Sequence, residues 1–160
     1  MKIKSFSTSE NVSRAIIALH GWTGNIDSME PVTKMLKIDD TKWILPEAPY
    51  TSSKSGFSWF NETEKNNWYY LKSFNFLSKI ILSLKEEGFQ NSQIFMLGFS
   101  QGACISIEFM IRQKFSIGGI IPISGFISME LRFRMIVDIT GEVGHTVYLM
   151  SHYELAKGLL

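Results

Sequence analysis

Ile94-Phe95-Met96-Leu97-Gly98-Phe99-Ser100-Gln101-Gly102-Ala103 is the stretch around which the chain is organised. Its first residues form an apolar run bounded by turn residues, which reads as a buried strand. The residues from Ala103 onward have helical spacing, with Ala103, Cys104, Ile107 and Ile111 on one side. Between the two, Gly98-Phe99-Ser100-Gln101-Gly102 matches G-x-S-x-G, the pattern of a nucleophile elbow. A serine on so sharp a strand-to-helix turn projects its hydroxyl away from the backbone, and its neighbours must be small because the chain folds back on itself. The helix that begins there aims unpaired N–H groups at the oxygen of an attacked carbonyl.

Upstream, Ala15-Ile16-Ile17-Ala18-Leu19 reads as a central strand of a parallel sheet, ending in the glycine-containing loop His20-Gly21-Trp22-Thr23-Gly24-Asn25. Lys2 to Phe6 alternates weakly, as an edge strand does, and Trp43-Ile44-Leu45 is a further strand stopped by Pro46. Glu47 to Asn67, with its prolines, serines and aromatics, reads as a long surface excursion. From Trp68 the period turns helical through Leu71, Phe74, Leu77, Ile81 and Leu84, with Gly88 as the stop. Downstream of the elbow, Ile117 to Ile123 and Met135 to Ile139 read as strands and Ser151 to Leu160 as a helix. Strands alternating with helices define an α/β fold with a mostly parallel sheet covered on both faces.

The totals agree with one such domain over residues 1–160. The chain has 160 residues, 45% of them hydrophobic, and a net charge of +1, with no run of either sign that would fit nucleic acid. Its most apolar stretch, Ile117 to Ile127, is too short to span a bilayer and contains Pro122, and the polar N-terminus lacks a signal-peptide core. Cys104 is the single cysteine, which excludes an intramolecular disulfide and a cysteine metal cluster. One helical turn beyond Ser100, it reads as a small core residue. No metal or other cofactor is expected, and the default location is cytoplasmic.

Four segments carry a resemblance: Leu19-His20-Gly21-Trp22-Thr23-Gly24-Asn25, Pro46-Glu47-Ala48-Pro49-Tyr50, Gly56-Phe57-Ser58-Trp59-Phe60 and Leu97-Gly98-Phe99-Ser100-Gln101-Gly102-Ala103. In content and order they resemble the phospholipase/carboxylesterase family of α/β-hydrolases, which includes the acyl-protein thioesterases. The resemblance spans about Ala15 to Gly125, and Glu47 departs from the family's Pro-Arg-Ala-Pro. It implies the α/β-hydrolase fold, Ser100 as nucleophile and the N–H groups of Trp22 and Gln101 as the oxyanion hole. It further implies a small-molecule ester or thioester substrate, with Trp59 and Phe60 near the binding groove and His20 in a structural role.

The family's later motifs, an acid on one strand end and a histidine after a final strand, are not both matched. In one alignment Ile136 to Tyr148 is the acid motif, with Thr140, Gly144 and Tyr148 replacing its histidine, acid and proline. In the other, Gly141 to Val147 is the histidine loop and His145 the base, with the acid-bearing unit missing. The first needs the smaller deletion. In that first alignment the last strand and the histidine after it are absent, so the resemblance implies a domain shortened at its C-terminal strand and helix. Asp138 and Glu142 are stand-in acids by type, while His152 sits on a polar helix face. Three readings are open: a serine hydrolase, an acyl-binding relic without a working relay, and a shortened product weakened by an open sheet edge.

Overall fold

The computed structural model describes residues 1–61 and 69–125. Strand β1 (Ile3–Ser7) pairs antiparallel with β3 (Thr41–Pro46), and β3 lies parallel to β2 (Arg14–Leu19). Beyond β2 come β6 (Ile94–Phe99) and β7 (Gly119–Ile123), both parallel, giving the order β1-β3-β2-β6-β7. A separate two-stranded ribbon joins β4 (Tyr50–Thr51) to β5 (Phe57–Ser58). The helices are α1 (Ile26–Leu36), α2 (Leu71–Glu86) and α3 (Gln101–Ile111).

Alternation along β2 explains why its apolar run is continuous. Ala15, Ile17 and Leu19 face one side and pack with Leu77, Ile81 and Leu84 of α2 and Ile105 and Phe109 of α3. Ile16 and Ala18 face the other, among Trp43, Leu45, Leu97 and Met29 of α1. A strand covered on both faces has no polar face to show. This is the doubly covered parallel sheet that the alternation of elements predicts.

Two elements depart from expectation. Helix α1 is not among the elements that periodicity marks, because it buries only Met29 and Thr33 and carries Pro31 in its interior. Its start is nevertheless written locally: the Asn25 side chain accepts from the Ser28 N–H at 3.0 Å, and the Ser28 hydroxyl accepts from the Asn25 N–H at 3.1 Å. In α2 the inward stripe is Ser73, Phe76, Leu77, Ile80, Ile81 and Leu84, one face of an ideal helix. Leu71 lies outside that stripe and is half exposed. The helix stops as expected near Gly88, whose φ of +100° takes the chain out of the helical region.

The excursion after Glu47 is also more than surface. The ribbon and the residues after it bring Ser58, Trp59 and Phe60 into the core. The expected elements at Met135 to Ile139 and Ser151 to Leu160, with Trp68, Asp138, Glu142, His145 and His152, lie outside the described residues.

Candidate active site

Ser100 stands between the last residue of β6 and the first of α3 with φ 52° and ψ −112°. That backbone conformation costs a non-glycine residue on the order of 1–3 kcal/mol, so neighbouring contacts must hold it. They do: the Ser100 N–H donates to the Ile123 carbonyl of β7 at 2.8 Å, while its own carbonyl accepts from Ala103 and Cys104 at 3.0 and 3.1 Å. The two motif glycines are required by close approach. A Cβ on Gly98 would lie 2.4 Å from the Gly102 carbonyl carbon, and one on Gly102 would lie 2.2 Å from the Leu19 carbonyl oxygen. The elbow therefore folds onto itself and onto the end of β2.

That contact brings in the loop after β2. A Cβ built on Gly21 would lie 3.6 Å from Ser100 Cβ and 3.2 Å from the Phe99 ring. The loop closes on itself through Gly24 N–H to the Gly21 carbonyl at 3.0 Å. It is pinned to β5 by Thr23 N–H to Phe57 O and Phe57 N–H to Gly24 O, at 3.0 and 3.1 Å. Thr23 takes a φ of 64° to make this turn. Trp22 and Phe99 are 40% and 47% exposed, so two aromatic rings open to solvent come from the segments that meet at Ser100. The Lys54 ammonium lies 5.0 Å from the centre of the Trp22 ring.

His20 is buried with both ring nitrogens engaged. Its Nε2 accepts from the Ala48 N–H at 3.0 Å, which leaves Nδ1–H to donate to the Gly21 carbonyl at 2.7 Å. Burial pushes its pKa down, partly offset by that bond to Gly21. A neutral imidazole with no free nitrogen is a loop brace, and not a base for Ser100.

Gln101 is anchored through its side chain. Its Oε1 accepts from the Trp59 N–H at 2.8 Å and its Nε2 donates to the Ser58 hydroxyl at 3.0 Å. Its backbone N–H, at the first position of α3, has no acceptor within the helix. Trp59 and Phe60, expected at the substrate, lie within the protein. Trp59 is fully buried and donates its indole N–H to the His20 carbonyl at 2.8 Å; Phe60 packs edge-on against Tyr70. Their aromatic character is used to fix the excursion on the core. Ser58 is the residue that motif reading passes over. Its only sequence signal is its place in Gly56-Phe57-Ser58-Trp59-Phe60, since a buried hydroxyl is not marked by periodicity. Cys104 is buried in the core, as expected.

Among the described residues, no group of three or more His, Cys, Asp or Glu side chains could hold a metal ion. Among them, too, no helix is long and apolar enough to cross a membrane.

A mostly parallel sheet with helices on both faces and a serine at a strained strand–helix elbow defines the α/β-hydrolase fold. The chain belongs within it to the phospholipase/carboxylesterase family, whose pattern it matches over residues 4–155. It is 28% identical over 146 residues to acyl-protein thioesterase 1 of Cryptococcus neoformans, covering 81% of this chain and 61% of that protein. Over 91 residues it is 30% identical to mouse lysophospholipase-like protein 1, covering 52% and 38%. A phospholipase/carboxylesterase from Dyadobacter fermentans superposes with a TM-score of 0.64 at 25% identity, over 79% of this chain and 60% of that one. Esterase PE8, at 19% identity, shares the fold with a TM-score of 0.68 over 84% and 69%. The chain thus spans about 61% of the length of the first curated relative.

Proposed function

We propose that the protein is a serine hydrolase of carboxylic esters or acyl thioesters. The observation that carries this is Ser100 itself, held at a positive φ beside the Gly21–Trp22 loop. A strained conformation fixed by its surroundings is the kind of local cost that a reacting residue justifies. Family membership and the acyl-protein thioesterase relatives support the same reading.

In this reading the Ser100 Oγ attacks the acyl carbon as a base takes its proton, and we assign His145 as that base. The carbonyl oxygen becomes an oxyanion, which accepts hydrogen bonds from the backbone N–H groups of Trp22 and Gln101. Collapse breaks the bond to the alcohol or thiol, which leaves with the proton held by the base. Water, deprotonated by the same base, then releases the acid from the acyl-serine. The exposed faces of Trp22 and Phe99 offer the hydrocarbon part of an acyl group an apolar border.

The test combines turnover of p-nitrophenyl esters and acyl thioesters with intact-mass detection of Ser100 after reaction with a fluorophosphonate. Wild type is expected to gain one adduct and turn substrate over, and Ser100→Ala to do neither beyond residual catalysis. His145→Ala should fall to the level of Ser100→Ala, because relay members act as a unit. An unchanged rate in Ser100→Ala removes the serine from the mechanism. Acyl binding with no adduct and no turnover favours a non-catalytic relic, and retained activity in His145→Ala moves the base elsewhere.

A further inference from the structure

We infer that Trp59 is a positioning residue, a buried strut that sets the separation of the two segments carrying the oxyanion donors. The inference rests on the hydrolase reading above and adds to it a residue that does not touch substrate. Each polar atom of Trp59 is committed to a different element. Its backbone N–H holds the side chain of Gln101 at 2.8 Å, on the residue whose own N–H is one assigned donor. Its indole N–H holds the His20 carbonyl at 2.8 Å, two residues before Trp22, the other donor. Its carbonyl accepts from the buried Ser73 hydroxyl of α2 at 2.6 Å, which ties the strut to the scaffold.

The surroundings stiffen the arrangement. The Ser58 hydroxyl accepts from Gln101 Nε2 and donates to the Phe60 carbonyl at 2.7 Å, so the Gln101 amide is gripped at both ends. The Trp59 ring lies 5.2 Å from the His20 ring at a tilt of 38°. A tryptophan that merely filled the core would need one partner for its indole. This one joins the start of α3 to the end of β2, the two ends that carry the oxyanion donors in the hydrolase reading. Oxyanion stabilisation depends on donors placed within a few tenths of an ångström of the developing charge, so a loosened strut should slow the reaction without weakening ground-state binding.

Trp59→Phe keeps the ring and removes the indole donor, and Gln101→Met keeps the length and removes the amide. For both, and for wild type, the measurements are the rate of Ser100 phosphonylation by a fluorophosphonate, kcat and KM on p-nitrophenyl butyrate, and inhibition by a trifluoromethyl ketone. We expect kcat and the phosphonylation rate to fall about tenfold to a hundredfold in each variant, with KM within about twofold of wild type. Ketone affinity should weaken by the same factor as kcat/KM, a proportionality that general loosening of the fold does not produce. Unchanged kcat and ketone affinity in folded variants would overturn the inference. So would a raised KM with kcat intact, which marks a substrate contact instead. If Trp59→Phe does not fold, Gln101→Met decides alone. A wild type that is never phosphonylated at Ser100 defeats the hydrolase reading, and the inference with it; a labelled wild type with unaltered variants defeats the inference only.

Discussion

Gly102 faces the Leu19 carbonyl so closely that a methyl group in place of its hydrogen would lie 2.2 Å from that oxygen, and 2.7 Å from the carbonyl oxygen of His20. The first turn of α3 is thereby seated on the end of β2, and the elbow meets the loop beyond that strand. Gly102→Ala must push one backbone away from another, which no rotamer change relieves. We expect it to destabilise the fold by at least about 2 kcal/mol. Urea unfolding would show this as a lower midpoint with an unchanged slope, and a variant as stable as wild type would disprove the close seating.

Ser100 predicts an opposed pair of effects. Replacing it with glycine removes the side chain that makes φ 52° costly, so Ser100→Gly should be more stable than Ser100→Ala by about 1 kcal/mol. Both variants should lose fluorophosphonate labelling. Thermal melts of the two compare the strain directly, and a glycine variant less stable than the alanine one would mean that Ser100 is unstrained.

His20 makes stability depend on pH. Its folded pKa lies below 6.5 because burial disfavours the imidazolium. A depressed pKa means that the unfolded chain binds the proton more readily. Its contribution is therefore complete above 6.5 and is lost as the pH falls from there through the folded value. One such proton changes stability by up to about 1.4 kcal/mol per pH unit in that window. His20→Gln should flatten the dependence of the urea midpoint between about pH 7 and pH 5 relative to wild type; parallel curves would count against a neutral buried His20.

Glu30 acts in a lower window. Hydrogen bonds from Lys34 and Lys4, at 2.8 and 2.5 Å, hold its carboxyl down to about 2 from a usual 4.5. Its stabilising effect is present above 4.5 and disappears as the pH falls through about 2. Because both lysines are exposed and the cluster lies at the surface, about 1 M salt should weaken it. Comparing Glu30→Gln with wild type, the difference in midpoint should shrink both at about pH 2 and in salt. A gap that survives both would have to come from something other than these ion pairs.

By itself the sequence determined what depends on neighbours along the chain. The strand at Ala15 to Leu19, the elbow at Ser100 and the helix after it were all legible, because period and glycine spacing are local consequences of pleat, turn and helix geometry. The capping pair Asn25 and Ser28 was equally local, yet Pro31 and a face on which only Met29 and Thr33 are fully buried hid the helix it starts. Only the tertiary structure decided what lies across the sheet. No spacing reveals that a Trp59 in a polar, proline-containing excursion is buried, or that its two N–H groups reach Gln101 and His20, 42 and 39 residues away. Nor does any spacing show that both nitrogens of His20 are already engaged. Those contacts exist because the excursion folds back onto the ends of β2 and α3, and the order of strands in the sheet, not the order of residues in the chain, puts those ends together.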